Sequence, residues 1–170
     1  KRLSGEARYC FDPAPPNHIS LGPSNGFWRG VHGWGGVTMT FTPVGGFDAM
    51  AHDIAVDFSA MPRKIYAGVR EPSLNFGLGI HKWDGNQWLP ADSGIDTTDS
   101  ETINIALSQS DPSILYAKVS QRSDQTLVGI YKTTTGGEAT SPNKAWKALP
   151  LGGPNAVPDI GMGWYKQVLE

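Results

Sequence analysis

The segment Lys64-Ile65-Tyr66-Ala67-Gly68-Val69 recurs as Ile114-Leu115-Tyr116-Ala117-Lys118-Val119, an offset of 50 residues between the two tyrosines. The same offset carries Pro62 onto Pro112, and Gly79-Ile80-His81-Lys82 onto Gly129-Ile130-Tyr131-Lys132. With one residue more, Ile54-Ala55-Val56 falls on Ile105-Ala106-Leu107, and Trp88-Leu89-Pro90 corresponds to Trp146 followed by Leu149-Pro150. A repeat of this length takes precedence over any single element, because it dictates how the whole chain stacks.

Each unit holds four short apolar or alternating segments, at 52–58, 64–70, 78–83 and 87–90 in the first and at 102–108, 113–120, 127–134 and 145–149 in the second. Alternation predicts strands, and the Gly, Pro, Ser and Asp residues between them predict turns. Four strands per unit predict all-β architecture built from β-propeller blades, four-stranded antiparallel sheets that cannot bury their faces alone. A third unit is expected to start at Met162–Glu170, which can be laid on the first strands of the other two. The expectation is an incomplete part, about three blades, of a propeller of about six to eight. A small open β-meander is the alternative.

The expected organisation is an irregular segment over 1–46 with the end of a preceding blade, blades over 47–98 and 99–156, and a truncated start of another over 157–170. Within 1–46, only Val37-Thr38-Met39-Thr40-Phe41-Thr42 alternates cleanly, and it is read as the outer strand of a degenerate blade. The Pro- and Gly-rich residues before it are read as extended loop, where Trp28, His32 and Trp34 either form a binding loop or pack over a face.

Composition agrees with a folded, turn-rich domain. Gly and Pro contribute 21 and 13 of the 170 residues, hydrophobic residues 39 % and charged residues 18 %. A net charge of −2, with basic and acidic residues intermixed, offers no electrostatic footprint for nucleic acid. No apolar run approaches the roughly 18 residues of a membrane-spanning helix. Cys10 is the single cysteine, so a disulfide within the chain is excluded. The chain opens on Lys1, and any targeting segment is expected to lie outside it.

Asp111-Pro112-Ser113-Ile114-Leu115-Tyr116-Ala117, followed by Gly129-Ile130-Tyr131-Lys132-Thr133-Thr134-Thr135-Gly136-Gly137, resembles the Asp-box propellers, or bacterial neuraminidase repeats, over about residues 50–170. That broad group includes sialidases, xyloglucan-hydrolysing enzymes and sortilin-type receptors, so the resemblance implies a fold more firmly than a function. Its box, Ser-x-Asp-x-Gly-x-Thr-Trp, is a turn between the third and fourth strands. Here Thr133, Thr135 and Gly137 take the Ser, Asp and Gly places, and residues around Ser141-Pro142-Asn143 push the aromatic out to Trp146. The first repeat shortens the turn to Lys82-Trp83-Asp84-Gly85-Asn86-Gln87-Trp88, with Asp84-Gly85 as a tight-turn pair.

Ligands of a propeller gather at its axial face, where the first strands of the blades converge. The repeat alignment places Asp53, Asn104 and Gln167 in one row, and Met50, Glu101 and Trp164 in a row nearer the loops, flanked by His52 and Tyr165. Aromatic platforms beside carboxylates and amides suit a sugar, so His52, Asp53, Glu101, Asn104, Trp164 and Tyr165 are the candidate ligand-binding residues; solvation of the channel is the competing reading. Asp53 and Glu101 are also the best pair for a glycosidase, which needs two carboxyl groups about 5 Å or about 6.5–9.5 Å apart. Asp92, Asp96 and Asp99 read as loop residues, and the arginines read as scattered, without the cluster a sialidase would require. Gly22-Pro23-Ser24-Asn25-Gly26 matches a nucleophile elbow but lacks the following helix. His18, His32, His52 and His81 lack metal-ligand spacing, and no metal or cofactor is expected.

These readings favour a non-catalytic binding or structural module of a secreted or envelope propeller protein, its axial face turned to a glycan or protein partner. The remaining blades would come from the same protein or another chain. A glycoside hydrolase fragment, xyloglucanase-like or sialidase-like, is the alternative.

Overall fold

In a computed structural model the described residues are 8–11, 18–22, 28–32, 39–124, 126–140 and 143–150. Among them every regular element is a strand, and no helix is long and apolar enough to cross a membrane. The strands are β1 (Arg8–Phe11), β2 (His18–Gly22), β3 (Trp28–His32), β4 (Met39–Pro43), β5 (Met50–Asp57), β6 (Lys64–Glu71), β7 (Gly79–Trp83), β8 (Trp88–Pro90), β9 (Ser100–Leu107), β10 (Leu115–Gln121), β11 (Leu127–Thr133) and β12 (Trp146–Ala148). They form three four-stranded sheets, β1-β2-β3-β4, β5-β6-β7-β8 and β9-β10-β11-β12, in which chain neighbours pair antiparallel.

The two repeats fold to the same register. Tyr66 pairs with Ala55 on one side and Lys82 on the other, and Tyr116 pairs with Ala106 and Lys132. The strand at 39–43 is the outer member of the first sheet, where the alternation at 37–42 predicts one. The stretch before it needs correction: β1, β2 and β3 occupy residues read as extended loop. The strands are only four or five residues long, and two of the glycines that suggested a loop, Gly22 and Gly30, lie within β2 and β3. The expected third unit at 157–170 lies outside the described residues.

Strand periodicity divides the apolar residues of β5 and β6 between two cores. Ala55 and Tyr66 face β9–β12 and join Ile80, Ile103, Ile105, Leu115, Ala117 and Val119 in a cluster between the two repeat sheets. Ile54, Val56, Ile65, Ala67 and Val69 point the other way, into a second cluster with Phe47 and Phe76. β5, β6 and β7 therefore contribute buried side chains, whereas Leu89 and Pro90 of β8 are exposed.

Close approach of the sheets depends on one glycine. A Cβ on Gly68 would lie 2.5 Å from the Ile103 carbonyl oxygen, so only a residue without a side chain fits there. Trp146 closes the other side: it is 1 % exposed, its indole N–H donates to Ala91 O (2.6 Å), and its backbone N–H donates to Ser93 O (2.9 Å). Lys82, 5 % exposed, crosses between the sheets to pair with Glu138 Oε1 at 2.5 Å.

The turns hold by local hydrogen bonds. Asp84 Oδ1 accepts from the N–H of Asn86 (2.8 Å) and Gln87 (2.9 Å), and Gly85 supplies the positive φ of 107°. In the second repeat Thr133 Oγ1 accepts from Thr135 N (3.2 Å) and Gly137 N (3.4 Å). A hydroxyl thus does the turn-bonding work of a carboxylate.

Candidate functional site

β5 and β9 are edge strands of neighbouring sheets and pack beside each other, which brings the first residues of the two repeats together. The β5–β6 ladder slips between Ala51 and Asp53: Ala51 opposes Val69 and Asp53 opposes Gly68, leaving His52 as an extra residue. Such a bulge re-aims the side chains that follow it. Asp53 consequently shares its face with Ala55 and Tyr66, toward β9, and the buried His52 sits at the bulge itself.

The Asp53 carboxylate is occupied by structure. Oδ2 accepts from the backbone N–H of Ile105 (3.0 Å) and from Asn104 Nδ2 (3.4 Å), while Oδ1 accepts from the N–H of Ile54 (3.0 Å). β9 exposes N–H groups on the side away from β10, and Asp53 caps one of them. Asn104 is 2 % exposed and turns its amide N–H to this carboxylate.

Glu101 belongs to a separate group. Its Oε1 lies 2.7 Å from Arg70 Nη2 and its Oε2 lies 3.1 Å from Arg122 Nε. Arg122 reaches on to Arg70 O (2.9 Å), and its backbone N–H donates to Asp99 O (2.7 Å). The reading of the arginines as scattered is corrected here, because the ends of β6 and β10 bring Arg70 and Arg122 onto one carboxylate. Sequence reasoning missed the pair; its trace is that each arginine lies within one residue of the end of the second strand of its own repeat. Both guanidinium groups are engaged by Glu101, so the cluster links β6, β9 and the turn after β10.

The predicted row thus separates into two structural linkages. Asp53 and Asn104 meet directly, Glu101 is held by arginines, and His52 fills a buried bulge position. Trp164, Tyr165 and Gln167 lie outside the described residues. Among the described residues, no group of three or more His, Cys, Asp or Glu side chains could hold a metal ion.

Chemically, this edge ties sheets together. The hydrogen bonds and ion pairs named for Asp53 and Glu101 run to donors of the protein on both sides of the seam. No protein-family model, no curated protein and no solved structure matches the chain.

Proposed function

We propose that the chain is part of an Asp-box-type β-propeller that serves as a non-catalytic binding or structural module. Its axial side, the β5 and β9 edges, would face a glycan or protein partner, and the remaining blades of a ring of about six to eight would come from the same protein or another chain. An extracellular or cell-envelope setting belongs to the same reading. Three successive four-stranded meanders, two of which share the register around their tyrosines, support the propeller. The observation that carries the non-catalytic role is the commitment of Asp53 to Ile105 and Asn104 and of Glu101 to Arg70 and Arg122.

The rival reading, a glycoside hydrolase fragment, rests on the same two carboxylates. Incubating the protein with xyloglucan and with sialyl-oligosaccharides, and following released reducing ends and free sialic acid, separates the two. No turnover above the protein-free rate is expected. Turnover that disappears in Glu101→Gln, with the circular dichroism spectrum unchanged, would establish the hydrolase instead.

A further inference from the structure

A groove of about 400 Å³ opens on the lateral side of the β5–β8 sheet, away from the β5 and β9 edges. This volume is within the roughly 300–1,000 Å³ typical of small-molecule sites. Three segments converge on it: the turn at Gly45 and Gly46, the loop bearing Asn75 and Phe76, and the β7–β8 hairpin.

Its apolar wall is an aromatic cluster. The Trp88 ring lies 4.7 Å from Phe47, 5.7 Å from Trp83 and 6.4 Å from Phe76, and its indole N–H is fixed on Val44 O at 3.1 Å. His81 packs edge-on against Phe76 at 5.2 Å and shares a hydrogen bond with Gly77 O at 3.1 Å. Burial drives the His81 pKa below its ordinary value, against the opposing pull of the Gly77 carbonyl and Asp92. The imidazole is therefore neutral at pH 7.

The rim is made of amides on braced backbone. Asn86 and Gln87 are exposed, with both their backbone N–H groups bound by Asp84. Asn75, also exposed, donates from Nδ2 to Asp48 Oδ2 (3.1 Å), which leaves its carbonyl oxygen as an acceptor. The same Asp48 holds Ser73 Oγ at 2.5 Å, and Ser73 Oγ accepts from Phe76 N (3.1 Å), so the loop is set before any ligand arrives. Among the described residues, no Lys, Arg, Asp or Glu lines the groove.

We propose that this lateral groove binds an uncharged saccharide through a pyranose unit. Each amide both donates and accepts, as a sugar hydroxyl does, and an aromatic wall takes up the C–H face of the ring by dispersion. The described lining residues offer no counter-charge to an anionic sugar. A proline-rich peptide would use the aromatic wall alone, without need of amides on two separate segments. The assignment does not depend on the propeller reading, since the described lining residues all belong to one sheet and the segments beside it.

The experiment is titration of the intact chain with neutral oligosaccharides of glucose, galactose, mannose and xylose, read by tryptophan fluorescence and saturation-transfer NMR. At least one should give a saturable signal. The double variant Asn86→Ala/Gln87→Ala, whose side chains lie outside the cores, should weaken it about tenfold or more. Lys147→Ala, at an exposed position on β12, should leave it unchanged. No saturable signal with any neutral oligosaccharide at millimolar concentration, or binding indifferent to the double variant, overturns the proposal. A proline-rich peptide that binds through Trp88 while the sugars do not overturns it as well.

Discussion

Tyr66 and Tyr116 occupy the same register position in two sheets of the same repeat, yet Tyr66 is 1 % exposed and Tyr116 is only half-buried. The Tyr66 hydroxyl donates to Gly136 O (3.3 Å) across the gap between the sheets, whereas the Tyr116 ring lies under Lys132 Nζ at 5.4 Å. The neighbours follow suit. Gly68 faces Ile103 with no room for a Cβ, and its counterpart Lys118 is half-buried; Lys82 is buried in an ion pair, and its counterpart Lys132 is half-buried. The lesson is that the repeat specifies backbone and register, while the sheet packed on each face decides whether a tyrosine or lysine is core.

Four substitutions probe that asymmetry. The largest effect is expected for Trp146→Ala, which empties the seam between the sheets and frees Ala91 O; about 3–5 kcal/mol of stability should be lost in urea unfolding. A loss below about 1 kcal/mol would mean that the seam contributes little to holding the sheets together. Next comes the pair Gly68→Ala and Lys118→Ala. The first forces a methyl onto the Ile103 carbonyl and should cost about 1–3 kcal/mol, while the second should stay within about 0.5 kcal/mol. Equal costs for the two would break the comparison.

A further effect concerns alkaline pH. Burial, reinforced by Asp57 and Glu138, raises the Tyr66 pKa from 10.0 to about 12. Because the folded value is the higher one, the unfolded chain loses this proton first; the stability tied to neutral Tyr66 is fully present below pH 10 and is lost as the pH climbs toward 12. Tyr66→Phe should remove that slope, at a cost near neutrality of about 0.5–1.5 kcal/mol for the lost hydrogen bond to Gly136. An alkaline slope that survives in Tyr66→Phe would assign it to another group.

Much of the fold was legible because the repeat is written in the strands themselves. All eight strand positions of the two units follow from alternation and turn residues, since a strand's face pattern is a local property. The strands before residue 33 were obscured by short length and by Pro and Gly at their borders, where composition resembles that of a loop. The candidate row was legible only in part. Alignment brought Asp53 to Asn104 in the right order, yet it could not reveal that a bulge at His52 would turn the carboxylate onto a backbone N–H. The convergence of Arg70 and Arg122 on Glu101 was equally hidden, because it depends on how two sheets stack. The lateral groove draws on residues from 45 to 90, none of which stands out by spacing.

The bond from Asp53 to Ile105 N has a consequence for solubility. A strand edge with free donors can recruit a strand from another molecule, and successive recruitment of this kind is how fibrils grow. By filling one of these donor positions with a carboxylate, Asp53 leaves one donor fewer for an incoming strand. The residue that reads most naturally as a catalytic acid thereby closes part of a strand edge in the seam between two sheets.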